Sequence, residues 1–398
     1  MRLTIVQYAG DYRETWERLE GGGKATYQAQ RYSIAFVAGL AARLEQVAVI
    51  SAVTEDAYDV VLPNGVRAIG AGLKPGFRPH SMVRVLENTS PDMLVLVTPL
   101  VPLLRWAHRN RVRTITTLAD SFQGKKFRQT IRNRRLARAL NRPHVEWVGN
   151  HGIAACLSLI SIGVRPDKVI PWDWPPSHTP SEYLARAIDR AELLRLVYVG
   201  SVTEEKGVGD LLRALQRLKL EGLKPELTII GRDVDDRMQS LAEQLGLMPQ
   251  VRFAGVIPNE DVPHVMRDAH IVIIPSRHEY PEGLPLTIYE ALSARTPIIA
   301  SDHPMFRGAL TDGVSALIFP ASDSGALAKA IHQLATDPAL YAALSRNSET
   351  AWEALQLPVT WGTLVEKWLS NTLADRVWIE RHAIASGAYE KQIDALNK

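Results

Sequence analysis

Short apolar runs alternate with amphipathic, helix-length segments along almost the whole chain of 398 residues. This alternation is typical of βαβ units, in which helices cross over between parallel strands. At roughly 150 residues per domain, the length allows two or three domains. Two series of strands are predicted: 3–6, 47–53, 93–97, 114–118 and 145–148, then 196–199, 227–230, 251–253, 271–274, 298–300 and 316–319.

Between the two series lies the proline-rich segment 171–180, PWDWPPSHTP. Its four prolines exclude a regular helix or a central strand and favour an interdomain linker. The sequence therefore predicts an α/β protein with two Rossmann-like, doubly wound domains, 1–175 and 176–370. A helical segment, 371–398, either closes the second domain or crosses back onto the first. Since ligands of such sheets bind beyond the carboxyl ends of the strands, functional residues are expected in the loops that follow them.

Composition excludes several classes of protein. The chain has 46 Lys and Arg against 43 Asp and Glu, an excess too small to predict nucleic-acid binding. A single cysteine, Cys156, cannot form an internal disulfide, and neither the cysteine nor the histidines show metal-ligand spacing, so no metal is expected. No apolar stretch reaches the ~18 to 20 residues of a membrane-spanning helix. With no secretory signal after Met1, a cytoplasmic location is expected.

The most informative segment runs from Glu282 to Glu290 and follows the predicted strand 271–274. Pro285 favours a first helical turn, which places Glu282 at the start of a helix and Glu290 inside it. Free backbone amides at such a start, together with the positive end of the helix dipole, can bind phosphate. For the two glutamates alone, the alternative is an electrostatic cap at Glu282 and a solvated helix residue at Glu290.

The same segment, with the following ALSA and TPIIAS, closely resembles family 4 retaining glycosyltransferases, which have the two-domain GT-B fold. Further motifs of that family are a strand ending in Val-Gly and then Lys-Gly, an Ile-Ile-Gly strand, Phe-x-Gly and Pro-Ser. In this chain they lie at 199–207, 229–231, 253–255 and 275–276. The ordered series covers about 196–330, and the N-terminal half resembles the family more loosely. The resemblance implies two domains that face each other across a cleft.

The resemblance also implies a donor site for a nucleoside diphosphate sugar. For the diphosphate, the resemblance implies contacts from the side chain of Lys206 and from the backbone amides of Gly22, Gly23, Gly283, Leu284 and Leu286. For the ribose and base, it implies contacts from Glu290, Arg232, Val256 and Ile257. For catalysis, it implies roles for Glu282, near the donor sugar, and for Lys206 and Asp120. Taken alone, a lysine such as Lys206 or an arginine such as Arg232 is more often an ordinary surface residue, and the triple glycine 21–23 could equally be a flexible turn.

Two positions depart from the family. Ser201 stands where members often have an arginine that partners the lysine on the phosphates, and Ala119 stands where they often have a histidine before Asp120. Part of the phosphate charge must therefore be met elsewhere, for example by Arg232 or by the basic first domain. A third motif, the Asp-x-Asp beginning at Asp233, resembles a metal site of a different fold, but N-capping of the helix that follows is expected here.

Eight basic residues and no acid lie between 125 and 142. A solvated, charged helix is one interpretation. The other is contact with anionic lipid, or with a diphosphate-linked lipid acceptor, through Lys125, Lys126, Arg128 and Arg132. Nucleic acid fits less well, because aromatic residues do not interleave with the basic ones.

These observations predict a retaining glycosyltransferase that moves a sugar from a UDP-linked donor to a saccharide or lipid-linked saccharide. No metal or other cofactor is expected, and the enzyme is expected in the cytoplasm or at the inner face of the membrane. Two alternatives stay open. A UDP-sugar epimerase of the same fold would need no acceptor, and a non-catalytic nucleotide-sugar-binding scaffold would bind the donor without turnover.

Overall fold

The computed structural model describes residues 1–8, 10–27, 29–122, 127–188, 193–248 and 250–396. The chain divides into two compact units. The first comprises Met1–Ala25, Ala29–Pro175 and Leu357–Lys398, and the second comprises Thr26–Gln28 and Pro176–Gln356.

Both units are built from parallel strands and helices. The strands of the first unit are β1 Arg2–Gln7, β2 Gln46–Val53, β3 Ala57–Val61, β4 Arg67–Leu73, β5 Met93–Leu96, β6 Arg113–Leu118, β7 Val145–His151 and β8 Val169–Trp172. The strands of the second unit are β9 Arg195–Val199, β10 Glu226–Ile230, β11 Val251–Gly255, β12 Ile271–Ile274, β13 Ile298–Ser301 and β14 Leu317–Phe319.

The α-helices follow the same division. Among the described residues, six helices of the first unit precede Pro176 in the chain: α1 Tyr12–Glu20, α2 Ala29–Ala41, α3 Ser81–Glu87, α4 Val101–Arg109, α5 Phe127–Leu140 and α6 Ile153–Ser161. Those of the second unit are α7 Val208–Leu220, α8 Arg237–Gln244, α9 Val262–Asp268, α10 Leu286–Ser293, α11 Ser324–Thr336 and α12 Pro338–Leu355. The chain ends in the first unit with α13 Trp361–Ser370, α14 Leu373–Arg381 and α15 Glu390–Leu396.

In the first unit the sheet order is β3-β4-β2-β1-β5-β6-β7-β8, and every neighbouring pair is parallel except the antiparallel pair β3/β4. Side chains alternate between two apolar cores. Leu3 and Ile5 of β1 lie in one core, whereas Val6 lies in the other. Strands β1, β2 and β5 are covered on both faces, so they consist of nearly continuous apolar runs. This is why the sequence predicts them.

Three strands of this sheet are not predicted by the sequence. Strand β3 is largely exposed, and β4 contains two glycines, so neither forms a continuous apolar run. Strand β8 includes Pro171 and Trp172, which the sequence assigns to the linker. That assignment is wrong at these two residues. Because β8 pairs only with β7, at the edge of the sheet, a proline is tolerated there.

The C-terminal helices pack in the first unit. The helix α13 buries Trp361, Leu364 and Trp368 in the core that also contains Leu3 and Ile5. The indole of Trp361 donates to the hydroxyl of Thr117 at 3.0 Å. The predicted second domain, 176–370, therefore extends too far, because residues 357–370 belong to the first unit. The apolar stripe of α13 is visible in the sequence, but not which sheet it covers.

In the second unit the order is β11-β10-β9-β12-β13-β14, with all neighbouring pairs parallel. Each strand overlaps a strand that the sequence predicts. The chain proceeds outwards in one direction from β9 through β10 to β11, and in the other from β12 through β13 to β14. The loops after β9 and β12 therefore leave in opposite directions, and open α/β sheets bind ligands at such a switch point.

Candidate functional site

Lys206 and Glu282 meet at this switch point. Lys206 lies in the loop after β9, and its Nζ donates to Oε1 and Oε2 of Glu282 at 2.9 and 2.7 Å. The same Nζ lies 4.4 Å from the ring centre of Tyr280. Glu282 is buried and also accepts from the hydroxyl of Ser276 at 2.8 Å. Two residues predicted from separate motifs are thus one ion pair.

The backbones of the two loops are in close contact. Gly207 has a φ of +76°, and a Cβ added there would lie 2.0 Å from the carbonyl oxygen of Pro275. Only glycine fits both the left-handed conformation and this approach. The Lys-Gly and Pro-Ser motifs therefore pack together, which explains their residue types in physical terms.

The helix α10 begins at Leu286, next to this ion pair. Its N-cap residue, Pro285, provides no side-chain hydrogen bond to the first turn. Within the part of the chain that the structure describes, the backbone amides of Gly283, Leu284 and Leu286 donate to no acceptor. Glu282 does not cap the helix, because its carboxylate is used by Lys206 and Ser276. Free amides and a positive dipole end thus remain for an anionic ligand.

Glu290 lies inside α10 and is buried, which rules out the solvated-residue alternative. Its Oε1 accepts from the side-chain amide of Asn259 at 2.7 Å. Burial raises the pKa of Glu290 to about 7, although the hydrogen bond from Asn259 opposes this. A buried carboxyl with one amide partner can accept hydrogen bonds from the hydroxyls of a ligand. Asn259 is not predicted from the sequence, because a single asparagine in a turn carries no motif.

The remaining residues assigned to the base lie in loops of the same unit. Val256 and Ile257 follow β11, in the loop that also carries Asn259, and Val256 is 58% exposed. Arg232 follows β10, with an exposed side chain. The next residue, Asp233, caps α8, since its Oδ2 accepts from the amides of Met238 and Gln239 at 2.9 Å each. The capping expected of the Asp-x-Asp segment is thus provided by Asp233, whereas Asp236, at the N-cap position itself, makes no side-chain capping hydrogen bond.

His303 and Tyr280 complete the surroundings of Glu282. The carbonyl of Tyr280 accepts from the amide of Glu282 at 2.7 Å and lies 3.2 Å from Nε2 of His303. The other ring nitrogen of His303 accepts from the amide of Met305, so His303 is neutral with its proton on Nε2. Burial lowers the pKa of His303, in agreement with the neutral form. Neither residue is predicted from the sequence.

The glycines of the first unit have a different environment from the predicted one. They do not follow β1 directly, because α1 intervenes and Gly21 is its C-cap. The amides of Gly22 and Gly23 donate to the carbonyls of Leu19 and Arg18 at 3.3 and 2.8 Å. A helix C-terminus carries negative partial charge. This geometry does not support the predicted phosphate contact, since the two amides are occupied and the local dipole repels anions.

Asp120 follows β6 in the first unit, as predicted. Its backbone carbonyl accepts from the side-chain amide of Asn150 at 3.0 Å. Burial raises the pKa of Asp120, and the charge of Arg132 partly opposes the shift. Ala119, where the family often has histidine, is exposed. In the second unit Ser201 is also exposed, and its carbonyl accepts from the Tyr198 hydroxyl at 2.6 Å.

Most of the basic stretch forms α5; Arg142 follows the helix, and Lys125 and Lys126 lie outside the described residues. Five arginines of α5 are exposed: Arg128, Arg132, Arg134, Arg135 and Arg138. Two apolar residues of the same helix are exposed as well, Phe127 by 79% and Ile131 by 37%. The neighbouring helix α4 adds Arg105 and Arg109. Within the described residues, none of the α5 arginines contacts a carboxylate. No helix in the described ranges is long and apolar enough to cross a membrane.

Comparison with known proteins identifies the second unit. The family described as Glycosyl transferases group 1 matches residues 188–351, so the chain contains a domain of this family. One similar protein is the amylovoran biosynthesis glycosyltransferase AmsK of Erwinia amylovora. It is 30% identical over 145 residues, which is 35% of this chain and 36% of that protein. The chain thus matches little more than a third of that relative's length.

Solved structures extend the similarity to the fold of the whole chain. Sucrose-phosphate synthase from Thermosynechococcus elongatus has a TM-score of 0.69 at 18% identity, covering 94% of this chain and 100% of that one. Anabaena HepE in complex with UDP-glucose has a TM-score of 0.66 at 16% identity, covering 94% and 99%. These likenesses confirm the predicted GT-B fold class with two Rossmann-like domains.

Proposed function

We propose that the protein is a family 4 retaining glycosyltransferase that uses a nucleoside diphosphate sugar, with UDP as the nucleotide. The observation that carries the proposal is the combination of Lys206, the free amides before α10 and the buried Glu290 on one edge of one sheet. A cation and a helix N-terminus suit a diphosphate, and a buried carboxyl suits ribose hydroxyls. The group 1 domain and the UDP-glucose complex of HepE support the same assignment.

The chemistry requires stabilisation of the leaving diphosphate. When the bond between the sugar C1 and the phosphate oxygen breaks, negative charge develops on the diphosphate, and a positive charge nearby lowers the barrier. Lys206 supplies that charge once the diphosphate replaces Glu282 as its partner. Glu282 is then free to accept a hydrogen bond from a donor-sugar hydroxyl. The acceptor oxygen bonds to C1, and its proton passes to the released phosphate oxygen.

The missing arginine at Ser201 leaves the donor site with fewer cations than the family pattern. In the proposal, the free amides of Gly283, Leu284 and Leu286 meet part of the diphosphate charge, and Arg232 lies on a neighbouring loop. No metal ion is invoked, because these groups are donors suited to phosphate oxygens. The glycines at 22 and 23 are not given a role.

The acceptor is proposed to be a saccharide or lipid-linked saccharide at the cytoplasmic face of an anionic membrane. The exposed arginines of α5, with Phe127 and Ile131 among them, are the observation that favours lipid contact. Each basic residue near an anionic surface contributes roughly 1 kcal/mol, and exposed apolar side chains insert among head groups. A solvated helix would not need the two exposed apolar residues.

A ligand screen tests the donor site. The melting temperature is measured with UDP, GDP, ADP and TDP, since a ligand at 100 times its Kd adds about 2.7 kcal/mol of stability. A shift with UDP that disappears in Lys206→Ala supports the proposal, and no shift with any diphosphate contradicts it. Donor isomerised without acceptor would instead identify an epimerase, and binding without turnover over a broad acceptor panel would identify a scaffold.

Sedimentation with liposomes tests the membrane contact. Replacing Arg128, Arg132, Arg135 and Arg138 by glutamine is expected to reduce binding to anionic but not zwitterionic vesicles. The matched control removes four exposed arginines of the second unit: Arg217, Arg237, Arg252 and Arg346. Equal loss in both variants would show a general charge effect, and no loss in the α5 variant would return the helix to a solvated surface.

A further inference from the structure

Arg277 connects the two loops that carry Lys206 and Glu282. Its Nε donates to Oδ2 of Asp210 at 2.7 Å, and its Nη2 donates to Oδ1 of the same carboxylate at 2.7 Å. Asp210 lies in the first turn of α7 and is 3% exposed. Nη2 also donates to Oε1 of Glu204 at 2.5 Å. Both carboxylates belong to the β9–α7 segment, whereas Arg277 belongs to the loop after β12.

The backbone of Arg277 makes a further connection. Its amide donates to the carbonyl of Glu205 at 2.9 Å, one residue before Lys206. On its other side, Ser276 holds the carboxylate of Glu282. One residue thus joins the segment that presents the lysine to the segment that presents the glutamate. Asp210 and Glu204 raise the pKa of the Arg277 guanidinium further above its ordinary value, so the group is a permanent cation.

We propose that Arg277 is a positioning residue of the donor site. Held in two hydrogen bonds by Asp210, its guanidinium keeps the Lys206 loop at the distance from the β12 loop at which Lys206 meets a diphosphate. This inference rests on the proposed function of the site. Arg277 does not contact the substrate; it acts through the placement of Lys206 and Glu282.

Lysine cannot replace Arg277 in this role. An ammonium is a compact charge without the planar fork that binds both oxygens of one carboxylate. The variant Arg277→Lys keeps the charge of the cluster but loses the paired geometry. A displacement of about 1 Å in a catalytic group can lower the rate about 10²-fold. A clear effect on the donor site is therefore expected even if the protein keeps its fold.

Arg213 provides a matched control. Its Nη1 donates to the same two acids, Oε1 of Glu204 at 2.9 Å and Oδ1 of Asp210 at 3.3 Å. Arg213 lies on α7 itself, however, so its contacts stay within the β9–α7 segment. Arg213→Lys likewise keeps the charge of the cluster and removes a guanidinium that contacts both acids, but it leaves the connection between the two loops intact.

The test compares UDP affinity and turnover in the wild type, Arg277→Lys and Arg213→Lys, with the melting temperature recorded for each. Arg277→Lys is expected to weaken UDP binding about tenfold and to lower kcat about tenfold or more, whereas Arg213→Lys stays within about twofold. In Arg277→Ala, millimolar guanidinium chloride is expected to restore part of the UDP affinity, which a general loss of stability would not allow.

Three results separate the hypotheses. If the wild type binds UDP and Arg277→Lys binds it equally well, the positioning role is wrong and the proposed function stands. Equal losses in Arg277→Lys and Arg213→Lys would show that any change of geometry in the cluster disturbs the donor site, whether or not the residue connects the two loops, which also overturns the inference. If the wild type binds no nucleoside diphosphate, the proposed function fails, and the positioning role fails with it.

Discussion

Glu290→Gln offers a test of the buried carboxyl that needs no ligand. The pKa of Glu290 is raised from 4.5 to about 7 by burial. A carboxyl with a raised folded pKa contributes stability that is complete below about pH 4.5 and is lost as the pH rises through about 7. Relative to the low-pH limit, the free energy of unfolding is lower by about 1 kcal/mol at about pH 5 and by about 3 kcal/mol at about pH 8.

Glutamine keeps the acceptor for Asn259 and cannot ionise. The difference in stability between Glu290→Gln and the wild type should therefore shift in favour of the variant by about 2 kcal/mol between about pH 5 and about pH 8. For a domain of 150 to 250 residues this is about 4 to 8 °C in the melting temperature of the second unit. Any loss of packing or hydrogen bonding in the variant is the same at every pH and cancels in this difference.

The assay is thermal unfolding of both proteins across this pH range, without nucleotide. Glu353→Gln, on the exposed side of α12, serves as the control and should shift by the same amount at every pH. A Glu290→Gln curve that runs parallel to the wild-type curve would refute the reasoning, because it would mean that Glu290 is ionised throughout at no cost. In that case burial does not control its charge.

Three further predictions follow from the same site. Lys206→Ala should lower turnover by about 10²-fold or more, measured as UDP release, whereas the exposed Lys224→Ala should not; near-normal turnover would remove Lys206 from the mechanism. Gly207→Ala should lower the free energy of unfolding by more than Gly222→Ala. Both positions have a positive φ, which costs an alanine about 1 to 2 kcal/mol, but only at Gly207 would the added Cβ clash, with the carbonyl of Pro275. Equal denaturant midpoints would show that the Pro275 contact relaxes. Turnover should be unchanged by EDTA, because Lys206 and the amides before α10 meet the diphosphate charge; activity lost in EDTA and restored by Mg²⁺ would contradict this.

The amino-acid sequence determined the second unit almost completely. Most of its strands are short apolar runs, because a parallel sheet that is covered on both faces allows no polar alternation. The edge strand β11 differs, since it carries the exposed Arg252. The loops after those strands carry the motifs, and the switch point between β9 and β12 brings the Lys-Gly and Pro-Ser loops together. The positions of Lys206, Glu282 and the start of α10 follow from that order alone.

Only the tertiary structure decided which side chains are partners. That Lys206 pairs with Glu282, that Asn259 reaches Glu290 and that Arg277 bridges to Asp210 are contacts between residues far apart in the chain. Such contacts require two side chains to be placed to within a few tenths of an ångström, a precision that residue patterns do not encode. The same holds for the amides of Gly22 and Gly23, which the end of α1 occupies.

The first unit shows the limit most clearly. Its exposed or glycine-containing strands, β3 and β4, have no apolar run. Its last helices follow the whole second unit in the chain and are therefore far in sequence from the strands they cover. Periodicity in a sequence reports that a helix has an apolar face, because that face must leave water. It does not show which sheet will cover that face, because this depends on shape and packing across the whole fold. In this protein, α13 packs against the sheet of the first unit.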